Sequence, residues 1–168
     1  RSVATLLRVS GLLPKGLDIS ALLSDAKRQL HDEADYEREG AMLERYRGLV
    51  GDDPTLIVPK FEPALSTSRV LAMDYIECVP IETLDTEPQD VRDRTVARLI
   101  ALTLRELLDW QLMQTDPNFA NYRWQPETGR IVLLDFGAAR AVPAVVADGY
   151  RRLLAAGLAG DRDAVRDA

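Results

Sequence analysis

Apolar positions recur at helical spacing over most of the chain, and short extended runs interrupt them. The pattern predicts a short apolar helix over Val3 to Val9, closed by Gly11 and Pro14. Asp18 or Ser20 is placed to cap a long helix running to about Leu49 and Gly51, with Ile19, Leu22, Leu23, Ala26 and Leu30 on one stripe. Later in that helix Asp35 and Glu39 precede Met42, Tyr46 and Leu49 on a common stripe. Both carboxylates are therefore expected to point inward, where they need partners. The run Asp32, Glu33, Asp35, Glu37 and Glu39 also reads, more plainly, as a solvated helix face. Two strands follow, Leu56-Ile57-Val58 before Pro59, and Arg69 to Ile76 after the turn-rich Ser66-Thr67-Ser68. Thr86-Glu87-Pro88-Gln89 resembles a capping box and opens a helix to about Met113. Val91, Leu99, Leu102 and Leu107 are among its apolar positions, and it is apolar enough to be mostly buried. Thr115-Asp116-Pro117-Asn118 breaks it. Asn121 to Trp124 and Ile131 to Leu134 form two short strands around Pro126 and Gly129, and one or two further helices end the chain. The expected class is α+β, dominated by helix.

Bulk properties narrow the chemistry. The 168 residues suffice for one domain, and 46% hydrophobic with 29% charged residues is the mixture of a folded chain. A net charge of −6 with no basic stripe argues against a nucleic-acid partner. The single cysteine, Cys78, excludes an internal disulfide and a cysteine-based zinc site. The single histidine, His31, excludes histidine-cluster metal sites and disfavours a Ser-His-Asp triad. No apolar run reaches the ~18 residues of a membrane span. Trp110 is read as core, Trp124 as core or hairpin surface, and Cys78 as a small buried residue.

The informative feature is a pair of motifs. Asp116 begins Asp-x-x-x-x-Asn, with Asn121 as its end, and Asp135 begins Asp-Phe-Gly directly after a strand, 19 residues beyond Asp116. In protein kinases the first aspartate orients or deprotonates the attacking hydroxyl. The asparagine holds one Mg²⁺, and the second aspartate holds the metals bridging the phosphates. Mg²⁺ is a hard cation that takes oxygen ligands, keeping waters beside one or two carboxylates and the substrate phosphates. Asp-Pro-Asn alone is ordinary turn chemistry, and Asp-Phe-Gly alone recurs by chance. Their order, their spacing, the apolar helix before and the hairpin between give the conjunction its meaning. Asp135, Asn121 and Asp116 are expected to converge on one cleft with Glu39 facing it.

Met113-Gln114-Thr115-Asp116-Pro117-Asn118-Phe119-Ala120-Asn121 resembles the catalytic loop of the UbiB/AarF family of atypical protein-kinase-like proteins. Leu133 to Arg140 is similar to that family's metal-binding segment, and Glu33-Ala34-Asp35-Tyr36-Glu37-Arg38-Glu39 to its Glu-x-Asp-Tyr-x-x-Glu helix motif. Phe119 stands where tryptophan is usual, Asp74 where glutamate is common, Cys78 for a glycine and Gly40 for an alanine. The resemblance implies a protein-kinase-like fold binding Mg²⁺ and ATP, with phosphoryl transfer or ATP hydrolysis. Asp116 would orient the acceptor. Asp135 and Asn121 would hold metal and cofactor, Glu33 and Asp35 would face the nucleotide, and Glu39 would pair with a phosphate-binding lysine. It also implies a link to ubiquinone or isoprenoid-lipid metabolism, a lipid, protein or water acceptor, and a place in the cytoplasm or on the cytoplasmic side of a membrane. The family's Lys-x-Gly-Gln motif and alanine-rich loop are not found here and would lie before Arg1. Residues 1–76 then read as the remnant of an N-terminal lobe and 77–168 as the C-terminal lobe, a partial domain expected to bind ATP poorly alone. The rival readings are a small-molecule kinase of the aminoglycoside or choline type, and a non-catalytic kinase-like scaffold.

Overall fold

The computed structural model describes residues 35–116 and 118–168. The expected helix at Val3 to Val9, the stripe from Ile19 to Leu30, His31 and Glu33 lie outside the described residues. The first described helix, α1, spans Tyr36–Val50. Asp35 precedes it at φ −96°, ψ 89°, and its carboxylate accepts the Arg38 backbone N–H. A helix unbroken from about residue 18 to 49 is thus corrected: an aspartate satisfying an orphan donor of the first turn starts the helix afresh at Tyr36. Glu39, Leu43, Tyr46 and Val50 are buried at spacings of four, three and four, and Gly40 is buried beside them. Gly51, at φ 55°, ends it.

Strand β1, Leu56–Ile57, follows. The expected strand from Arg69 to Ile76 does not form. That segment folds back on residues 60–67 through single bridges, Phe61 with Met73 and Thr67 with Val70. The facing stretch turns into a 3₁₀ segment at Pro63–Leu65 and the Ala72 N–H donates to Ser66 Oγ, so the pairing does not lengthen into a ladder. After β2, Val79–Pro80, and a 3₁₀ segment, Ile81–Thr86, helix α2 spans Gln89–Leu104. The capping box is not made. Pro88 occupies the N-cap without a side-chain bond, and the Thr86 hydroxyl donates back to the Thr83 carbonyl.

Nor does α2 continue to Met113. It widens into a π-helical turn at Arg105–Trp110 and stops at Gln111, which takes the left-handed conformation at φ 49°, ψ 36°. Strand β3, Leu112–Gln114, leaves from there. The helix is also less buried than its composition suggested. Thr95 and Leu102 face inward, while Val96 and Ile100 on the opposite side are 53% and 57% exposed. Strands β4, Tyr122–Gln125, and β5, Arg130–Leu133, fall within a residue or so of their expected places. A strand that the pattern did not announce, β6, Ala139–Ala141, pairs antiparallel with β3. Helices α3, Ala144–Ala159, and α4, Arg162–Asp167, complete the chain.

The main sheet has the order β1-β5-β4-β2, with β1 parallel to β5 and the rest antiparallel. Leu56 of β1 lies opposite Ile131 of β5, so the segment after α1 is sewn into the hairpin sheet. α1 lays Leu43, Tyr46 and Val50 on a core completed by Leu56, Trp124, Ile131 and Phe136. Tyr46 sits 4.8 Å from Phe136 and meets Trp110 edge-on at 6.0 Å, both centroid to centroid. Trp124 is core, Trp110 packs half-buried against it, and Cys78 is only half-buried. This is an α+β arrangement led by helix.

Gly40 is explained by its neighbour. A Cβ there would lie 2.5 Å from Phe61 Cζ, so the Phe61 ring rests on the helix backbone itself. Alanine gains about 1 kcal/mol of helix propensity but must displace the ring, at a cost of order 1–3 kcal/mol. Gly40→Ala is therefore expected to destabilise the protein in denaturant titrations. The same change in a Phe61→Leu background should be neutral or stabilising.

Candidate nucleotide and metal site

Two loops meet between β3 and β5. The first leaves β3 at Thr115 and returns through a 3₁₀ turn, Phe119–Asn121, into β4. Asn118 caps that turn by accepting the Ala120 N–H at 3.0 Å, and the turn carries Asn121 inward to 9% exposure. Asn121 Nδ2 donates back to the Asp116 carbonyl at 3.1 Å and to its carboxylate at 3.4 Å. The second loop begins at Leu134, whose N–H donates to the Asn121 carbonyl at 3.2 Å. Asp135 follows, partly exposed, its Oδ1 accepting the Gly137 N–H at 3.0 Å.

One side chain bridges the loops. Gln114, 7% exposed at the end of β3, accepts the Asp116 N–H on Oε1 at 3.1 Å and donates from Nε2 to the Asp135 carbonyl at 2.8 Å. Thr115 Oγ1 adds a bond to the Ala138 carbonyl at 2.8 Å. Asp116, Asn121 and Asp135, picked from their spacing, are thus brought together.

Helix α1 packs on the same place. Glu39 is 8% exposed and accepts the Phe136 N–H at a long 3.5 Å. Burial holds its carboxyl above the ordinary carboxylate range, the nearby charge of Asp135 adds to this, and the Phe136 N–H works against it. The Arg38 guanidinium donates to the carbonyls of Gly137 and Ala139, both at 3.3 Å, tying the helix to the second loop. The inward orientation expected of Asp35 is corrected: it is an exposed helix cap, because its carboxylate is spent on the first turn of α1. Glu37 is exposed.

Sequence reasoning missed Glu106. It lies four residues after Leu102, on the inward face of α2, and is 3% exposed. That spacing was the available signal. Burial pushes its carboxyl up to about 7, against the opposing Tyr46 hydroxyl and Gln114 backbone amide. Tyr46 Oη donates to Glu106 at 2.9 Å, and its own titration is pushed upward by burial and the Glu106 charge. Burial, with the charges of Glu106 and Asp116, pushes the Tyr122 hydroxyl up to about 12. These groups enclose, with Gln114, Asn121, Asp135 and Phe136, a cavity of about 10 Å³, no larger than one water.

The donor set suits Mg²⁺. Asn121 Nδ2 is committed to Asp116, which leaves Oδ1 as its remaining donor atom, and Asp135 supplies a carboxylate beside it. Among the described residues no three carboxylate, cysteine or histidine groups gather into a cation cage. Mg²⁺ needs none, since it is ordinarily completed by waters and phosphates.

The ABC1 atypical kinase-like domain matches residues 1–168. The chain belongs to that family. It is 38% identical over 165 residues to "Atypical kinase coq-8, mitochondrial" of Caenorhabditis elegans, covering 96% of this chain and 22% of that protein. Over 161 residues it is 35% identical to "Atypical kinase COQ8, mitochondrial" of Saccharomyces cerevisiae, covering 96% of this chain and 32% of that one. The chain therefore spans between about a fifth and a third of the length of these curated relatives. Among solved structures it is similar to that of the Rv3197–erythromycin complex from Mycobacterium tuberculosis, with a TM-score of 0.68 and 23% identity, over 98% of this chain and 42% of that one. At that identity the likeness speaks for the fold alone. The kinase-like α+β fold and the family read from residues 33–39, 113–121 and 133–140 are those found. Among the described residues no helix is long and apolar enough to cross a membrane.

Glu106 gives the domain a pH signature. Its native titration lies near 7 against an ordinary 4.5, so between those values the folded state keeps a proton that the unfolded chain has lost. Stability then falls as pH rises through that window and levels off above it, by roughly 3 kcal/mol in all for Glu106. Glu39 shifts the same way and adds to the slope. Melting temperature followed from pH 4.5 to 8 is expected to decline in the parent and to decline much less in Glu106→Gln. Equal slopes would exonerate Glu106.

Proposed function

We propose that these residues form the metal and catalytic-loop side of a Mg-ATP site, with phosphoryl transfer or ATP hydrolysis as the chemistry. The observation that carries the reading is the Gln114 bridge, which holds the Asp116 loop and the Asp135 strand end in fixed relation. Phosphoryl transfer asks mainly for positioning and charge stabilisation. Loops tied before the nucleotide arrives meet that demand with little reorganisation.

In this reading Asp135 is the main metal ligand and Asn121 the second, through its amide oxygen. When bound, Mg²⁺ would offset phosphate charge. Asp116 orients the acceptor hydroxyl or water: its backbone is pinned by Gln114, and its carboxylate stays exposed beside Asn121. Glu39, buried and lacking a cation among the described residues, is suited to receive a phosphate-binding lysine. Of the described residues only Lys60 is a lysine, and Glu62 holds it. Asp35 and Glu33 belong to the nucleotide-facing motif in the same proposal, as does a division into two lobes near residue 76. A lipid or protein acceptor, a link to ubiquinone metabolism and a membrane setting rest on the family resemblance and on the COQ8 names of the relatives.

In the full-length protein Asp135→Asn keeps the side-chain shape and removes the charge. It is expected to abolish the Mg-dependent part of nucleotide thermal stabilisation, a shift of several degrees in the parent, with the melting temperature of the free protein unchanged. A mutant that responds to Mg-ATP like the parent would remove Asp135 from the site.

A further inference from the structure

Resting on the nucleotide-site reading above, we propose that Glu106, with Tyr46, is a positioning residue that holds β3 in place and through Gln114 sets the spacing between the Asp116 loop and Asp135. Glu106 is a carboxylate in a place where packing asks for none. It is 3% exposed on the inward face of α2, one turn beyond the buried Leu102, and no cation among the described residues pairs with it. A leucine or methionine would fill that volume without the cost of desolvating a charge. What an apolar side chain cannot do is accept the Tyr46 hydroxyl.

That bond joins three elements. Tyr46 stands on α1, Glu106 on the π-helical turn that closes α2, and the Tyr46 hydroxyl also reaches the carbonyl of Leu112, the first residue of β3, at 3.4 Å. The backbone amide of Gln114, two residues on, faces both groups. The Gln114 side chain then spans from the Asp116 N–H to the Asp135 carbonyl. The Tyr46–Glu106 pair thus seats the strand from the helix side, and the seated strand aims the amide that ties the two loops. The wide turn belongs to this device, since π-turns are rare and cluster at functional sites. The left-handed Gln111 that follows lets the chain leave the helix directly into β3.

A positioning role and a merely structural one part company in the double variant Tyr46→Phe/Glu106→Leu. Removing both partners together leaves neither the hydroxyl nor the carboxyl orphaned; the Gln114 backbone amide that faced them loses its acceptors, so stability falls modestly. The experiment uses the full-length protein and reads two quantities, amide hydrogen exchange at Asp116 without metal or nucleotide, and Mg-ADP affinity by calorimetry. In the double variant, at a temperature where it stays folded, exchange at Asp116 is expected to rise about ten-fold and Mg-ADP affinity to fall about ten-fold, while amides of the β4–β5 hairpin stay protected. Glu106→Gln, which keeps an acceptor for Tyr46, should restore both values to within about two-fold of the parent. Should the double variant fold poorly, Tyr46→Phe alone carries the same comparison. Parent-like exchange at Asp116 in the double variant or in Tyr46→Phe overturns the proposal, as does Glu106→Gln behaving like the double variant. A parent that binds no Mg-ADP would refute the nucleotide-site reading, and the exchange arm would still decide the role of Glu106.

Discussion

The side-chain amide of Gln114 is the constraint on which the site depends. Asp116 and Asp135 lie on loops leaving different strands, and loops do not hold a mutual distance by themselves. Gln114 can hold it because its two polar atoms differ in kind. The oxygen takes an N–H from one loop, and the nitrogen gives to a carbonyl of the other. Both bonds are part-buried, with the Gln114 side chain itself out of water, where a hydrogen bond is stronger and a lost partner costs more. The β3–β6 pairing supports the same junction from the backbone, with Gln114 opposite Ala139.

Around this bridge the structure accepts an unusual electrostatic load. Glu39 and Glu106 are both buried, and no cation among the described residues pairs with either. Each is instead met by a hydrogen-bond donor, the Phe136 N–H for one and the Tyr46 hydroxyl for the other. Donors offset only part of the desolvation cost, so both carboxyls hold their protons more tightly than in water. Tyr46 is central to this. Its ring packs on Phe136 and Trp110 while its hydroxyl serves Glu106. A single residue thereby joins the apolar core to the polar network behind Asp135.

The same core explains how a short chain segment reaches the site. β1 adds to the hairpin sheet beside β5, and Arg105 reaches Asp53 at 2.5 Å while lying over Trp110 at 4.7 Å. These contacts fasten the α1–β1 connection to the π-helical end of α2. The helix from the first part of the chain and the loops from the second therefore form one packed unit around Phe136. The outer side of α2, with Val96 and Ile100, takes no part in that packing.

The site residues were legible in the sequence because their signal is local: a fixed spacing from Asp116 to Asn121, and a strand running into Asp135. The helix stripe through Glu39 and Tyr46 and the β4–β5 hairpin were legible for the same reason, since periodicity and turn residues act over a few positions. Other features depended on partners distant in the chain. Arg69 to Ile76 has strand composition, yet strands form only where a neighbour runs alongside with free donors and acceptors, and the facing chain turns away at Pro63–Leu65. Nothing near Ala139–Ala141 marks it as a strand, because β3 supplies the reason. Asp35 belonged to an inward stripe by spacing alone, but the helix begins after it and uses its carboxylate. Only the fold placed Tyr46, sixty residues earlier, against Glu106. Local patterns determined which side chains are candidates for the chemistry, and long-range packing decided which of them are buried, bridged and held.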